Sequence, residues 1–141
     1  MSHQTYKEDV VLITPQSIFN AAWQRFIIEK RPPCIKDVQC AYEHNGNNCA
    51  VGAAMTREQL NQIKEQGDDH ETADNLAIKY PDWFKGEITT FYEIQKSLHD
   101  SLVDFDNGLW RYPFETIEKQ YREVASTFDL TIPEETDVQE G

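Results

Sequence analysis

Residues 40–52, "CAYEHNGNNCAVG", predict a β-hairpin in a chain that is otherwise α-rich. Asn45-Gly46 is a strong signal for a two-residue turn, because both central positions of a type I′ turn need positive φ. That turn would pair His44 with Asn47, and side chains would alternate between two faces. A turn centred on His44-Asn45 would keep the same faces. The predicted apolar face consists of Cys40, Tyr42, Cys49 and Val51, and the other face of Ala41, Glu43, Asn48 and Ala50.

The three cysteines, Cys34, Cys40 and Cys49, are an odd number, which argues against a secreted disulfide framework. Two of them fall on the apolar face of the hairpin, so we expect reduced, buried thiols and no cofactor. Zinc ligation by Cys34, Cys40, His44 and Cys49 is one alternative, although no closely spaced cysteine knuckle is present. A disulfide between Cys40 and Cys49 is the other alternative.

Outside the hairpin, the apolar residues recur at helical spacing. The sequence therefore predicts a mainly α (α+β) domain of about five helices with one small hairpin near residues 38–52. Thr14 and Thr56 are predicted N-caps, the second in a capping box with Gln59. The predicted helices are Pro15–Arg31, Arg57–Gly67, a short one within Leu76–Phe84, Glu87–Val103 and Pro113–Phe128. Six residues of the stripes should share one core, namely Trp23, Phe26, Phe91, Leu98, Tyr121 and Phe128.

The length of 141 residues fits one globular domain, which we place at residues 10–132. Residues 1–9 are predicted to be a flexible tail, and residues 133–141 an acidic, disordered tail. No run of apolar residues is long enough to span a membrane, and the N-terminus lacks a hydrophobic signal core. These features predict a cytoplasmic protein that does not bind membranes.

The formal net charge is −12, and it is unevenly distributed. Residues 1–40 carry five Lys or Arg against four Asp or Glu, whereas residues 41–141 carry eight against twenty-one. An acidic body repels nucleic-acid phosphates, so direct binding of DNA or RNA is not expected. A basic protein surface is a better match, although acidity also keeps small proteins soluble. The candidate acidic binding surface consists of Glu65, Asp68, Asp69, Glu71 and Asp74.

Gln95 and His99 interrupt the apolar stripe of the predicted helix Glu87–Val103. They lie one turn apart and can touch, whereas Asp100 should point about 100° away. A structural role is favoured, in which both side chains satisfy backbone groups of the hairpin or of residues 104–110. The alternative is a ligand pocket, in which arginine holds an anion and aromatic rings stack on the ligand. That candidate pocket consists of Tyr92, Gln95, His99, Trp110, Arg111 and Tyr112.

The order of these motifs resembles a group of small uncharacterised proteins of bacteriophages and bacterial prophages. The shared features are the Cys-x8-Cys-Ala-Val-Gly hairpin (residues 40–52) and the Gln-x3-His-Asp helix (residues 95–100). The resemblance spans roughly residues 14–130. This chain differs at Ile94, where leucine is usual, and at Ala53-Ala54, where larger apolar residues are common. The resemblance implies a source and a fold, and it implies no mechanism.

Three functions remain open from the sequence. The favoured one is an accessory protein of a phage or prophage that binds a host or phage protein through its acidic surface without catalysis, for example to inhibit a nucleic-acid-binding or defence protein. The second is a small-molecule or nucleotide-binding protein, or an enzyme, that uses the candidate pocket. The third is a small zinc-binding domain. The sequence does not determine the oligomeric state.

Overall fold

The computed structural model describes residues 11–33, 42–44, 47–69, 71–104, 106–107 and 109–133. The predicted N-terminal tail lies outside these ranges, as does the predicted C-terminal tail apart from Pro133. Cys34, Cys40 and the turn residues Asn45-Gly46 lie outside them as well.

The described residues form a mainly α fold with a small antiparallel hairpin at residues 43–48, as the sequence predicted, and with a second hairpin that it did not predict. The helices are α1 (Pro15–Ala22), α2 (Ala50–Ala53), α3 (Arg57–Glu65), α4 (Ala73–Lys79), α5 (Ile88–Leu98) and α6 (Phe114–Thr127). Helix α1 continues directly into a π-helix at Trp23–Ile28, and α5 is followed by a 3₁₀ turn at Asp100–Leu102. The strands are β1 (Glu43–His44), β2 (Asn47–Asn48), β3 (Val103–Asp104) and β4 (Leu109–Trp110).

Both predicted N-caps are confirmed. Thr14 Oγ1 accepts from the Ser17 N–H at 3.0 Å, and Ser17 Oγ accepts in return from the Thr14 N–H at 2.8 Å. Thr56 and Gln59 form the same reciprocal pair at the start of α3, at 3.1 and 3.0 Å. These bonds satisfy amides that have no partner within the helix. The Gln59 amide also donates to the Val11 carbonyl at 3.0 Å, so this cap holds the incoming chain.

The first hairpin has the predicted register but a shorter second strand than expected. Glu43 pairs with Asn48, and His44 pairs with Asn47. The chain then enters α2 at Cys49, whose sulfur caps the helix by accepting from the Gly52 N–H at 3.4 Å. The prediction of two alternating faces is therefore wrong beyond Asn48. Ala50, predicted to lie on the face opposite Cys49 and Val51, is fully buried as they are, because a helical turn can bury adjacent residues together.

Two further boundaries differ from the prediction near the end of α5. The helix ends at Leu98 instead of Val103, because His99 leaves helical geometry with φ −143° and ψ −65°. The predicted loop that begins at Asp104 contains a second hairpin, in which Val103 pairs with Trp110. The Asp104 carboxylate favours this tight connection by accepting from the Asp106 N–H at 3.1 Å and the Asn107 side-chain amide at 2.8 Å.

Helix α5 is central to the core, since it packs against α1, α2, α4 and α6. The predicted core is confirmed: Trp23, Phe26, Phe91, Leu98 and Tyr121 are buried in one cluster, and the partly buried Phe128 packs against it. The Tyr121 hydroxyl donates to the Leu98 carbonyl at 2.6 Å, which gives the last carbonyl of α5 a hydrogen-bond partner. Burial raises the pKa of Tyr121 well above its usual value, so this donor stays protonated.

Gly52 allows α2 to pack directly on the backbone before β1. A Cβ at this position would lie 1.9 Å from the Tyr42 carbonyl oxygen. We expect Gly52→Ala to lower the free energy of unfolding by at least about 2 kcal/mol, since backbone atoms would have to move apart. Denaturant unfolding of the purified variant measures this loss.

Gly67→Ala is the matched control for this prediction. Gly67 differs from Gly52 in that its φ is +74°, in the left-handed region, and a Cβ there would meet no atom within 4 Å. It should cost only about 1 kcal/mol, from backbone strain alone. Equal losses in the two variants would contradict the packing explanation for Gly52.

Candidate functional site

A cluster of polar side chains lies at the C-terminal end of α5. Gln95 Oε1 accepts from the buried Val51 N–H of α2 at 2.8 Å, and Gln95 Nε2 donates to Asp100 Oδ1 at 3.0 Å. The same carboxylate oxygen lies 2.8 Å from His99 Nδ1. A carboxylate only accepts hydrogen bonds, so Nδ1 carries a proton. The structure thus confirms that Gln95 satisfies a backbone group next to the hairpin.

The sequence prediction for the direction of Asp100 is wrong. A continuous helix would separate Asp100 from His99 by about 100°. Because α5 ends at Leu98, Asp100 instead begins the 3₁₀ turn and its carboxylate returns towards Gln95.

The imidazole of His99 is enclosed by aromatic rings. Its exposed fraction is 0%, and the rings of Phe26 and Trp110 each lie with their centroids 5.9 Å from it. Phe26 and Trp110 also contact one another edge to face at 5.1 Å. Sequence reasoning placed Phe26 only in the core, because its helical stripe gives no sign of the distant histidine. The His99 imidazole thus packs against both aromatic rings while its Nδ1 faces the Asp100 carboxylate.

The remaining members of the candidate pocket do not join this cluster. Tyr92 and Tyr112 are 40% and 42% exposed, and Arg111 is exposed, with its guanidinium donating to the Val103 carbonyl at 3.4 Å. The predicted pocket is therefore divided between a buried part and a surface part.

Tyr112 instead lines an open groove of about 400 Å³. One side of this groove is the 3₁₀ turn, with Ser101 and Leu102. The other side is a face of α6, with Thr116, Lys119, Gln120 and Glu123. Sequence reasoning missed the α6 face, because these residue types are typical of any solvent-facing helix.

The predicted acidic surface is partly internal. Asp68 is buried, and its carboxylate accepts from Lys79 Nζ and the Tyr80 hydroxyl, both at 2.7 Å. The Lys79 ammonium lowers the pKa of Asp68, while burial and the bond to Asp68 raise the pKa of Tyr80 to about 12. Glu71 contacts Lys79 at 3.3 Å. Glu65 is exposed, and Asp69 and Asp74 are partly buried. The prediction that Asp68 belongs to the binding surface is wrong, because its carboxylate is buried and paired.

Glu43 is a buried acid that sequence reasoning did not single out. It forms ion pairs with Arg57, at 3.1 Å, and with Lys64, so it joins β1 to α3. Hydrogen bonds from Arg57 and then Lys64 lower its pKa to about 2. The sequence could have pointed to Glu43 only through its position in the predicted hairpin, where it pairs with Asn48.

The zinc alternative cannot be completed from the described residues. Cys49 is buried at the N-cap of α2, His44 lies in β1, and Cys34 and Cys40 lie outside the described ranges. Among the residues that the structure describes, no three His, Cys, Asp or Glu side chains are grouped to hold a metal ion. None of the described helices is long and apolar enough to cross a membrane.

Comparison with known proteins adds no assignment. No protein-family model, curated protein or solved structure matches the chain. The resemblance to bacteriophage and prophage proteins thus stays a prediction.

The Glu43 ion pairs predict a specific pH dependence. The pKa of about 2 lies below the usual 4.5, so the folded state favours the charged form. This contribution is fully present above about pH 5 and is lost as the pH falls towards 2. At pH 7, Glu43→Gln should lower the free energy of unfolding by about 1–3 kcal/mol. The difference from the unsubstituted chain should shrink in denaturant unfolding below pH 4.5. Glu93→Gln, at an exposed position in the middle of α5, is the control and should change the free energy of unfolding at pH 7 by less than about 0.5 kcal/mol.

The Gln95 bridge predicts a local effect of its removal. Gln95→Leu leaves the buried Val51 N–H without its acceptor, which should cost about 1–3 kcal/mol. Amide hydrogen exchange at Val51 should accelerate more than exchange in α6. Gln62→Leu, on the exposed face of α3, is the control. Unchanged protection at Val51 would mean that Gln95 does not hold α2.

Proposed function

We propose that the chain is a non-catalytic binding protein whose exposed carboxylates bind a basic surface of another protein. In this proposal it is an accessory protein of a phage or prophage and acts in the cytoplasm of the host cell. The partner surface of best chemical fit is one that normally binds nucleic acid, since the exposed acids would take the place of phosphates. The net charge of −12 supports the mode of binding, and the resemblance supports the source.

The observation that carries the proposal is the placement of the acidic side chains. Among the described acids only Glu43 and Asp68 are buried, and each is neutralised by an ion pair. The other described Asp and Glu side chains are at least partly exposed. A surface of this sign speeds encounter with a basic partner and repels nucleic acid. Binding of this kind weakens as salt is added.

The buried polar cluster favours binding over catalysis. A general acid or base must lie within hydrogen-bond reach of its substrate. His99 is fully buried, and Gln95 uses its amide to join α2 to Asp100. Of the predicted pocket residues, Gln95 and His99 are buried whereas Arg111 and Tyr112 are exposed, and this difference in burial supports binding over catalysis.

The placement of the charges can be tested apart from their number. Glu65→Gln with Glu71→Gln removes two charges near the α3–α4 connection and leaves the internal Asp68 in place. Glu93→Gln with Asp106→Asn removes two charges from exposed positions on α5 and next to β3. Both variants have the same net charge, so a difference between them reports position.

The experiment is affinity capture from a lysate of the producing cell, quantified by mass spectrometry over a series of salt concentrations. We expect a protein that is retained by the unsubstituted chain and by Glu93→Gln/Asp106→Asn. The Glu65→Gln/Glu71→Gln variant should not retain this protein, and raised salt should release it from the unsubstituted chain. Once purified, this partner should release the chain when nucleic acid is added. A folded His99→Gln variant should still retain the partner.

Two outcomes would contradict the proposal. Equal retention by both double variants would show that the acids near α3 and α4 do not form the contact. If the folded His99→Gln variant alone failed to retain the partner, the function would depend on the buried cluster of Gln95, His99 and Asp100.

A further inference from the structure

The groove between the 3₁₀ turn and α6 contains two charged side chains of opposite sign. Lys119 and Glu123 both line it, one helical turn apart. Side chains at this spacing are neighbours on a helix surface and commonly form ion pairs. Their neighbours Glu118 and Arg122 do so, with 3.0 Å between Arg122 and Glu118.

Lys119 and Glu123 remain apart. Within the described ranges neither side chain takes part in an ion pair or a side-chain hydrogen bond. The order of the charges contributes to this, because lysine before glutamate is the weaker arrangement of an i, i+4 pair. The groove therefore offers one cationic donor and one anionic acceptor, both open to a bound molecule.

The lining outside α6 consists of Ser101, Leu102 and Tyr112. Tyr112 is 42% exposed, whereas Leu102 is buried. Ser101 and Thr116 add hydroxyl groups to the lining. The volume of about 400 Å³ is within the range of small-molecule sites. A planar ring can stack on Tyr112 while polar groups of the same molecule reach α6.

We propose that this groove binds a small zwitterion with an aromatic ring, of the class of a free aromatic amino acid. The carboxylate contacts Lys119, the ammonium contacts Glu123, and the ring packs on Tyr112. A nucleotide fits less well, because its phosphates would meet Glu123 and the net charge of −12. The interior of a peptide fits less well, because it lacks the two adjacent charges. This site is separate from the acidic surface of the proposed function.

The test is a titration of the isotope-labelled full chain with L-phenylalanine, followed by amide NMR. We expect shifts confined to residues around Leu102, Tyr112 and residues 116–123, with a dissociation constant of about millimolar. Lys119→Gln and Glu123→Gln should each weaken binding roughly three- to tenfold. Glu93→Gln with Lys96→Gln, an exposed pair on α5 outside the groove, should bind as the unsubstituted chain does.

Two analogues separate the contributions of the charges. N-acetylphenylalanine lacks the ammonium, so its binding should no longer depend on Glu123. Phenylalanine amide lacks the carboxylate, so its binding should no longer depend on Lys119. The proposal is overturned if phenylalanine causes no shifts up to its solubility, if the shifts fall elsewhere, or if either single variant binds unchanged.

Discussion

The side-chain amide of Gln95 is the interaction on which the arrangement of the chain most depends. It is the point at which three segments meet: α2 through the Val51 N–H, α5 itself, and the 3₁₀ turn through Asp100. The amide suits this position because one end accepts and the other donates. A carboxylate would lack the donor, and an apolar residue would leave a buried amide unsatisfied. The polar residue in the apolar stripe is thus a requirement of the fold.

The sequence predicted the features that depend on local chemistry. The caps at Thr14 and Thr56, the hairpin register at His44 and the stripe containing Phe91 and Leu98 all follow from short-range rules. It failed where tertiary contacts override such rules. Cys49 could extend a strand, but the close packing of Gly52 on Tyr42 favours a helical turn. Helix α5 could continue past Leu98, but His99 leaves helical geometry there and the Asp100 carboxylate bonds with Gln95 and His99.

The candidate site was predicted in part for the same reason. Gln95 and His99 could be found because they break a pattern, and Val51, the partner of Gln95, lay within the expected hairpin. In the sequence, Asp68 does not differ from other acidic residues of a polar loop, so the residues around it do not predict its ion pair with Lys79. Exposure of a charge is a property of the folded surface. The number of acidic residues therefore predicts the sign of the electrostatic potential around this protein, but it does not predict which acidic side chains are exposed.

The π-helix at Trp23–Ile28 has a consequence for how the chain can vary in length. Its hydrogen bonds reach one residue further than those of an α-helix, as in the 2.9 Å bond from the Glu29 N–H to the Gln24 carbonyl. The segment thus holds one residue more than an α-helical path between the same flanking turns needs. A relative that lacks a single residue there would complete an ordinary helix and keep the flanking turns in the same orientation. An insertion or deletion within a helix usually rotates the part after it relative to the part before it. A one-residue deletion in this π-helix would avoid that rotation.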